Sequence, residues 1–215
     1  MSGTGDQSSS TKHEHQNSIP QPAPIDSQSL NLPNLITLSR FVLAIILFYI
    51  IYVERLWITA AVVFIVAACT DFADGYIARR YGLVTTLGRI LDPFVDKIIV
   101  CGAFIFLLEK KEFDSGVNAW MVVIVVGREM YVTSLRAFLE QHGRDFSASW
   151  SGKIKMAVQC VAVTASLLSL SPQFDSSAFY LARDVTLWSA VAITAYSGWA
   201  YTHRAIRMLR PPATG

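Results

Sequence analysis

Four aspartates interrupt an otherwise apolar chain at helical spacing, and no other feature limits so sharply what the chain can fold into. Asp71 and Asp74 stand three residues apart, Asp92 and Asp96 four apart. Pairs so spaced share one helix face, with Cβ atoms about 5–6 Å apart. A carboxylate in hydrocarbon costs at least about 2.5–3.5 kcal/mol on insertion scales, so four of them must face a wet, compensated cavity and not lipid. Two helices facing each other with one pair apiece make a box of four carboxylates. Hard oxygen donors of that kind suit Mg²⁺, Mn²⁺ or Ca²⁺ and not zinc, and Mg²⁺ characteristically sits between carboxylates and substrate phosphates.

The surrounding chain reads as membrane protein. It has 215 residues, 53% of them hydrophobic, and a mean hydropathy of +0.40, longer and greasier than one soluble domain needs, with its charges gathered between apolar runs. The expected fold is all-α, a polytopic bundle of six transmembrane helices near residues 36–53, 56–77, 91–108, 119–139, 154–171 and 179–202. Runs such as FVLAIILFYIIYV and WMVVIVV are apolar all round, as lipid contact requires. Breaks fall at Glu54-Arg55, Tyr81-Gly82, from Glu109 to Gly116, at Gly143-Arg144 and at Ser171-Pro172.

Residues 1–30 differ in kind. They are rich in Ser, Gln and Pro and too poor in apolar surface to fold, so a disordered tail is expected there, a membrane domain over 31–210 and a short tail at 211–215. His13 and His15 beside Glu14 read as solvated tail residues, and no signal peptide is expected ahead of the first span. Cys69, Cys101 and Cys160 sit singly in apolar runs and read as small packing residues. The net charge of +2, with no basic stripe interleaved with aromatics, argues against nucleic acid as a partner.

Lys and Arg set the orientation. Arg79, Arg80 and Arg89, then Arg144 and Lys153, then Arg204, Arg207 and Arg210 fall on one side of the spans, against Arg55, Lys110, Lys111 and Arg183 on the other. Both termini and the aspartate box are therefore expected on the cytoplasmic side.

Around the aspartates lie further fixed positions. The segment TDFADGYIARRYGLVTTLGRILDPFVDK resembles the signature of the CDP-alcohol phosphatidyltransferase family: Asp-x-x-Asp-Gly-x-x-Ala-Arg, eight residues, Gly, three residues, Asp, three residues, Asp. Chance agreement at all eight fixed positions is expected on the order of once in 10⁹ windows. The resemblance implies a six-helix integral membrane enzyme, a homodimer, that moves a phosphatidyl group from a CDP-linked lipid to an alcohol and releases CMP. It covers nearly the whole chain after the tail. NLPNLITLSR, LDPFVDK, and GREMYVTSLR followed by SWSGKIKMAVQ bring the chain nearest to members that use CDP-diacylglycerol and glycerol 3-phosphate in phospholipid biosynthesis, in a bacterial inner membrane. Phosphatidylglycerol or inositol 1-phosphate as acceptor is the alternative within the family.

Displacement at phosphorus is catalysed mainly by positioning and charge neutralisation, and two metal ions can clamp the attacking and leaving oxygens. Asp71, Asp74 and Asp92 are expected as metal ligands for Mg²⁺ or Mn²⁺, and Asp96 as ligand or as general base toward the acceptor hydroxyl. Salt bridges to Arg79, Arg89 and Lys97 are the competing account of these carboxylates. Gly75, Ala78 and Gly88 are expected to let cytidine and phosphates approach the backbone, or simply to pack helices. Arg79 offers a planar fork for phosphate, and Arg80 fits a topology charge better.

Acceptor recognition is expected from cations. Arg128 lies inside an apolar run beside Glu129, Arg136 follows about two turns later on roughly the same face, and Lys153 and Lys155 begin the next run. A phosphorylated acceptor needs such a cluster, and serine or choline does not. An internal Arg128–Glu129 ion pair is the other reading. Asn34 and Thr37 either hydrogen-bond substrate phosphate or cap the first helix. A metal or proton transporter would also bury acidic residues in membrane helices, but typically with internal repeats, and none is convincing here.

Overall fold

The computed structural model describes residues 32–81, 86–141 and 150–209; the tails expected at 1–30 and 211–215 lie outside them. Among the described residues the fold is all-α. Six α-helices follow in order, α1 (Leu32–Val53), α2 (Trp57–Tyr81), α3 (Thr86–Glu109), α4 (Ala119–Gln141), α5 (Trp150–Ser169) and α6 (Ser177–Leu209), with single 3₁₀ turns at Lys110–Phe113 and Pro172–Phe174. Most helix ends run past the apolar stretches that announce them, while α5 stops at Ser169, short of the expected 171. Those stretches mark only what can face hydrocarbon, whereas the polar ends are carried on as regular helix: α1 begins four residues and α3 five residues before the expected start.

Local chemistry explains the ends. Pro33 sits in the first turn of α1, where its missing N–H costs nothing. α1 stops at Glu54, which adopts the left-handed conformation at φ +60°, a position usually filled by glycine. There the Glu54 carboxylate is held by Lys110, whose side chain is buried. α4 starts behind Asn118, whose Oδ1 accepts the Met121 N–H at 3.1 Å.

α1 packs on α2 and α3, α5 on α2 and α6, and α4 on α6. The core joins Leu47 and Ile51 of α1, Phe64 of α2, Phe104 and Leu107 of α3, Met121 of α4, Leu167 of α5 and Leu187 of α6. Between these large side chains stand buried alanines at 44, 60, 61, 67, 103, 162 and 190, which let backbones approach closely, as in membrane bundles. Every helix also leaves apolar side chains bare on the outside, among them Ile45, Val62, Ile105, Val123, Val161 and Val185. Among the described residues no helix is long and apolar enough to cross a membrane.

The links after α1, α3 and α5 meet at one end of the bundle. Ser115 Oγ donates to the Leu107 carbonyl at 2.7 Å, and Ser166 Oγ donates to the Ser115 carbonyl at 2.6 Å. Arg183, itself buried, donates to Asp184 Oδ1 at 2.8 Å and to the Asp114 carbonyl. The last turns of α2 and α4 and the first turns of α3 and α5, and with them the aspartate-bearing parts of α2 and α3, belong to the opposite end.

Candidate active site

α2 carries Asp71, Asp74, Gly75, Ala78 and Arg79, and α3 carries Gly88, Asp92 and Asp96. Both segments are helical and the two helices touch, so each aspartate pair lies on one helix face as its spacing predicts. The side chains of these eight residues, and those of Asn34 and Lys153, lie outside the described ones. α3 runs uninterrupted through Pro93. Proline lacks an N–H, so the Arg89 carbonyl, between Gly88 and Asp92, loses its intrahelical donor. Beside Asp71, Thr70 turns its hydroxyl back onto the Val66 carbonyl at 2.7 Å.

Among the described residues no group of three or more His, Cys, Asp and Glu could hold a metal ion. The donor set expected from the sequence is the aspartates on α2 and α3, whose carboxylates are hard oxygen groups of the kind that suits Mg²⁺ or Mn²⁺.

The candidate residues of α1 lie near its start. Asn34 falls in the first turn and Thr37 in the second, so neither stands at the cap position and the capping alternative does not apply. Thr37 is buried at 2% exposure, and so is Arg40 three residues on. Sequence reasoning passed over Arg40. The available signal was a cation inside an apolar run, spaced to share the face of Thr37.

The cations on α4 and α5 converge. Lys155 Nζ donates to Glu129 Oε1, and Arg128 Nη1 donates to the same oxygen at 3.2 Å. Arg128 Nη2 donates to Ser197 Oγ on α6, and its guanidinium lies 5.4 Å from the centre of the Tyr201 ring. Gly198 makes room for this arm, because a Cβ there would meet Arg128 Cγ at 3.3 Å. Glu129 and the two cationic side chains are all at least nine-tenths buried. The internal Arg128–Glu129 pair of the sequence reading is therefore present, but it is part of a trio of two cations sharing one carboxylate oxygen. Among the described residues one unit of positive charge is left over.

Buried charge without equal counter-charge is costly unless an anion completes it. Arg128 Nε, moreover, is buried with no hydrogen-bond partner. Arg136, two turns further along α4, is half-buried and its Nε is likewise buried and unpartnered. Among the described residues no hydrogen bond or ion pair joins Arg136 to the trio. At the base of this cluster Gln159 Nε2 donates to Thr194 Oγ1 at 2.9 Å, tying α5 to α6.

α3 reaches the cluster through Lys97, the residue after Asp96, whose Nζ donates to Thr133 Oγ1 on α4. Sequence reasoning cast Lys97 only as a salt-bridge partner for the aspartates and missed Thr133, Ser197 and Tyr201. Serines, threonines and tyrosines are too common in helices for spacing alone to single them out.

An apolar cavity of about 390 Å³ opens between α2 and α5, lined by Phe64, Ala68, Cys69, Cys160, Thr164 and Phe179. Cys69 is exposed on this cavity and does not pack into the core as its apolar run suggests.

Comparison with known proteins gives the site its context. Residues 30–196 match the family model described as CDP-alcohol phosphatidyltransferase. The chain is 40% identical over 185 residues to a CDP-diacylglycerol–glycerol-3-phosphate 3-phosphatidyltransferase of Bacillus subtilis, an alignment covering 80% of this chain and 93% of the relative. Identity is 35% over 175 residues to the enzyme of that description from Rickettsia bellii, covering 80% and 93%. It is 33% over 170 residues to the one from Escherichia coli, covering 74% and 90%.

Proposed function

The chain belongs to the CDP-alcohol phosphatidyltransferase family, and from that premise we propose that it transfers the phosphatidyl group of CDP-diacylglycerol to glycerol 3-phosphate, giving phosphatidylglycerophosphate and CMP. The observation that carries the acceptor is the buried trio in which Arg128 and Lys155 share Glu129 Oε1. Its surplus positive charge suits an acceptor bearing a phosphate, and an uncharged alcohol would leave that charge unmet. The names of the relatives from Bacillus subtilis, Rickettsia bellii and Escherichia coli support the same acceptor.

In this reading the acceptor hydroxyl oxygen attacks the phosphorus that bears the diacylglycerol. The bond from that phosphorus to the oxygen of CMP breaks, and CMP leaves with the bonding electrons. Asp96 takes the hydroxyl proton, the role its family position supports. Arg128 and Lys155, with Lys153 and Arg136, hold the acceptor phosphate and so bring the hydroxyl into line. Gly75, Ala78 and Gly88 give cytidine and the diphosphate a close approach to backbone, and Arg79, Asn34 and Thr37 donate to phosphate oxygens. Asp71, Asp74, Asp92 and Asp96 would hold Mg²⁺ or Mn²⁺, which when bound supplies neutralisation of the diphosphate charge.

The setting is a bilayer. Six helices of 20 to 33 residues measure about 30–50 Å at 1.5 Å per residue, against a hydrocarbon core of about 30 Å, so helix length suits a span, while the described residues of no helix combine that length with enough apolar character. The bare apolar faces of all six helices support six spans, and exposed Tyr52 and Trp120 at one end and Tyr196 and Trp199 toward the other support interfacial belts. The excess of Lys and Arg beside the aspartates supports placing that end and both termini in the cytoplasm of a bacterial cell.

The test is turnover by the purified protein in micelles containing CDP-diacylglycerol and Mg²⁺ or Mn²⁺, with glycerol 3-phosphate, inositol 1-phosphate, serine and phosphatidylglycerol offered separately. Phosphatidylglycerophosphate formed with glycerol 3-phosphate alone, and lost on adding a chelator, is the expected result. A different lipid product would overturn the acceptor assignment.

A further inference from the structure

The two halves of the proposed site stand on different helices, aspartates on α2 and α3 and cations on α4 and α5. Transfer to a phosphorylated acceptor needs a set distance between them, because the acceptor is gripped at its phosphate by one half and deprotonated at its hydroxyl by the other. Core packing brings α3 against α4, but apolar contact is non-directional and leaves a helix free to slide or rotate by fractions of an ångström.

A directional link exists where it is needed. Lys97 follows Asp96 on α3 and donates its ammonium to Thr133 Oγ1. Thr133 donates its own hydroxyl proton to the Glu129 carbonyl one turn back, at 2.7 Å. A hydroxyl has one proton to give and two lone pairs to receive with, so the bond to Glu129 turns the lone pairs of Thr133 outward, toward Lys97. Glu129 is the residue whose carboxylate gathers Lys155 and Arg128. The chain of contacts from Lys97 through Thr133 to Glu129 thus joins the backbone at Asp96 to the acceptor cations.

We infer that Thr133 is a positioning residue, touching neither substrate, which keys the aspartate helix to the cation cluster and sets the reach between the general base and the acceptor phosphate. The inference rests on the proposed transfer to glycerol 3-phosphate. A misplacement of about 1 Å can cost about 100-fold in rate, so a hydroxyl bridging the two halves has leverage on kcat.

Thr133→Val keeps the shape of the side chain and removes both its proton and its lone pairs. With glycerol 3-phosphate as acceptor, Thr133→Val is expected to lower kcat at least about tenfold. The KM for CDP-diacylglycerol and the melting temperature should stay at the wild-type values, and Thr133→Ser, which restores the hydroxyl, should recover most of the rate. A Thr133→Val enzyme with wild-type kcat would overturn the inference. So would a Thr133→Ser enzyme as slow as the valine variant, or losses in kcat, KM and melting temperature together, which mark a structural role. Wild-type protein that releases no CMP with glycerol 3-phosphate would instead overturn the transferase reading, and the inference with it.

Discussion

Gly102 of α3 and Phe48 of α1 compete for one volume: a Cβ on Gly102 would lie 2.2 Å from Phe48 Cζ and 2.7 Å from its Cε1. The ring cannot easily withdraw, because it is stacked on Phe106 of α3 with centroids 4.9 Å apart and planes within 5°. Absence of a side chain at 102 is thus what lets α1 seat against the helix that carries Asp92 and Asp96. Gly102→Ala is expected to destabilise the protein by about 1–3 kcal/mol through overpacking, read as a lower melting temperature in micelles. Combining it with Phe48→Leu should return part of the loss, since the two residues act on one contact. An unchanged melting temperature for Gly102→Ala would show that α1 shifts freely.

Asp92→Asn removes a charged ligand from the proposed metal box while keeping size and helical spacing. CMP release is expected to fall about 100-fold or more, with the melting temperature held at the wild-type value. Restored activity at saturating Mg²⁺ or Mn²⁺ would assign the loss to metal affinity alone. Near-normal turnover at ordinary metal concentration would take Asp92 out of the site.

The six helices, and the placing of each aspartate pair on one face of α2 or α3, were legible because both rest on periodicity. Spacings of three and four, and long apolar runs, survive translation into structure without knowledge of what packs where. The cation cluster was half legible. Arg128 and Lys155 announced themselves as charges in apolar surroundings, but their union on Glu129 Oε1 depends on α4 and α5 meeting at one level, and no local pattern encodes that. Arg40 was readable and overlooked. Ser197, Tyr201 and Thr133 take part through the α4–α6 and α3–α4 contacts, which are tertiary facts. Helix ends were misjudged where polar residues extend a helix beyond its apolar face, as at Thr86 and Ser177.

Arg128→Ala and Lys155→Ala each remove one charged donor from the trio. A hydrogen bond to a charged group contributes about 1.5–3 kcal/mol, so each variant is expected to raise the KM for glycerol 3-phosphate about 10- to 100-fold. The KM for CDP-diacylglycerol should change little. Arg128→Lys should not rescue, because one ammonium cannot reach Glu129 and Ser197 together as the guanidinium fork does. Steady-state kinetics with each substrate varied in turn decide the matter, and equal shifts in both KM values would place these cations outside the acceptor site.

Arg183→Ala tests the other end of the bundle, where stability and catalysis should separate. The buried guanidinium donates to the Asp114 carbonyl and to Asp184 Oδ1, approaches Asp114 Oδ2 at 3.4 Å, and lies 5.0 Å from the centre of the Tyr180 ring. It also fills the space beside Gly116, where a Cβ would come within 2.6 Å of Arg183 Nε. Asp114 holds a left-handed backbone at φ +53°, a conformation costing a non-glycine residue about 1–2 kcal/mol, and the bond from Arg183 to its carbonyl offsets that cost. Truncation should therefore lower stability by about 2–4 kcal/mol. Arg183→Lys should recover only part, since a point charge cannot bridge Asp114 and Asp184 in one plane. Both KM values should stay at wild-type levels, because Arg183 stands at the end of the bundle away from the aspartates. A raised KM for glycerol 3-phosphate in Arg183→Ala, at a temperature where the variant is fully folded, would mean that the inter-helix links transmit to the acceptor cluster along α4 and α6.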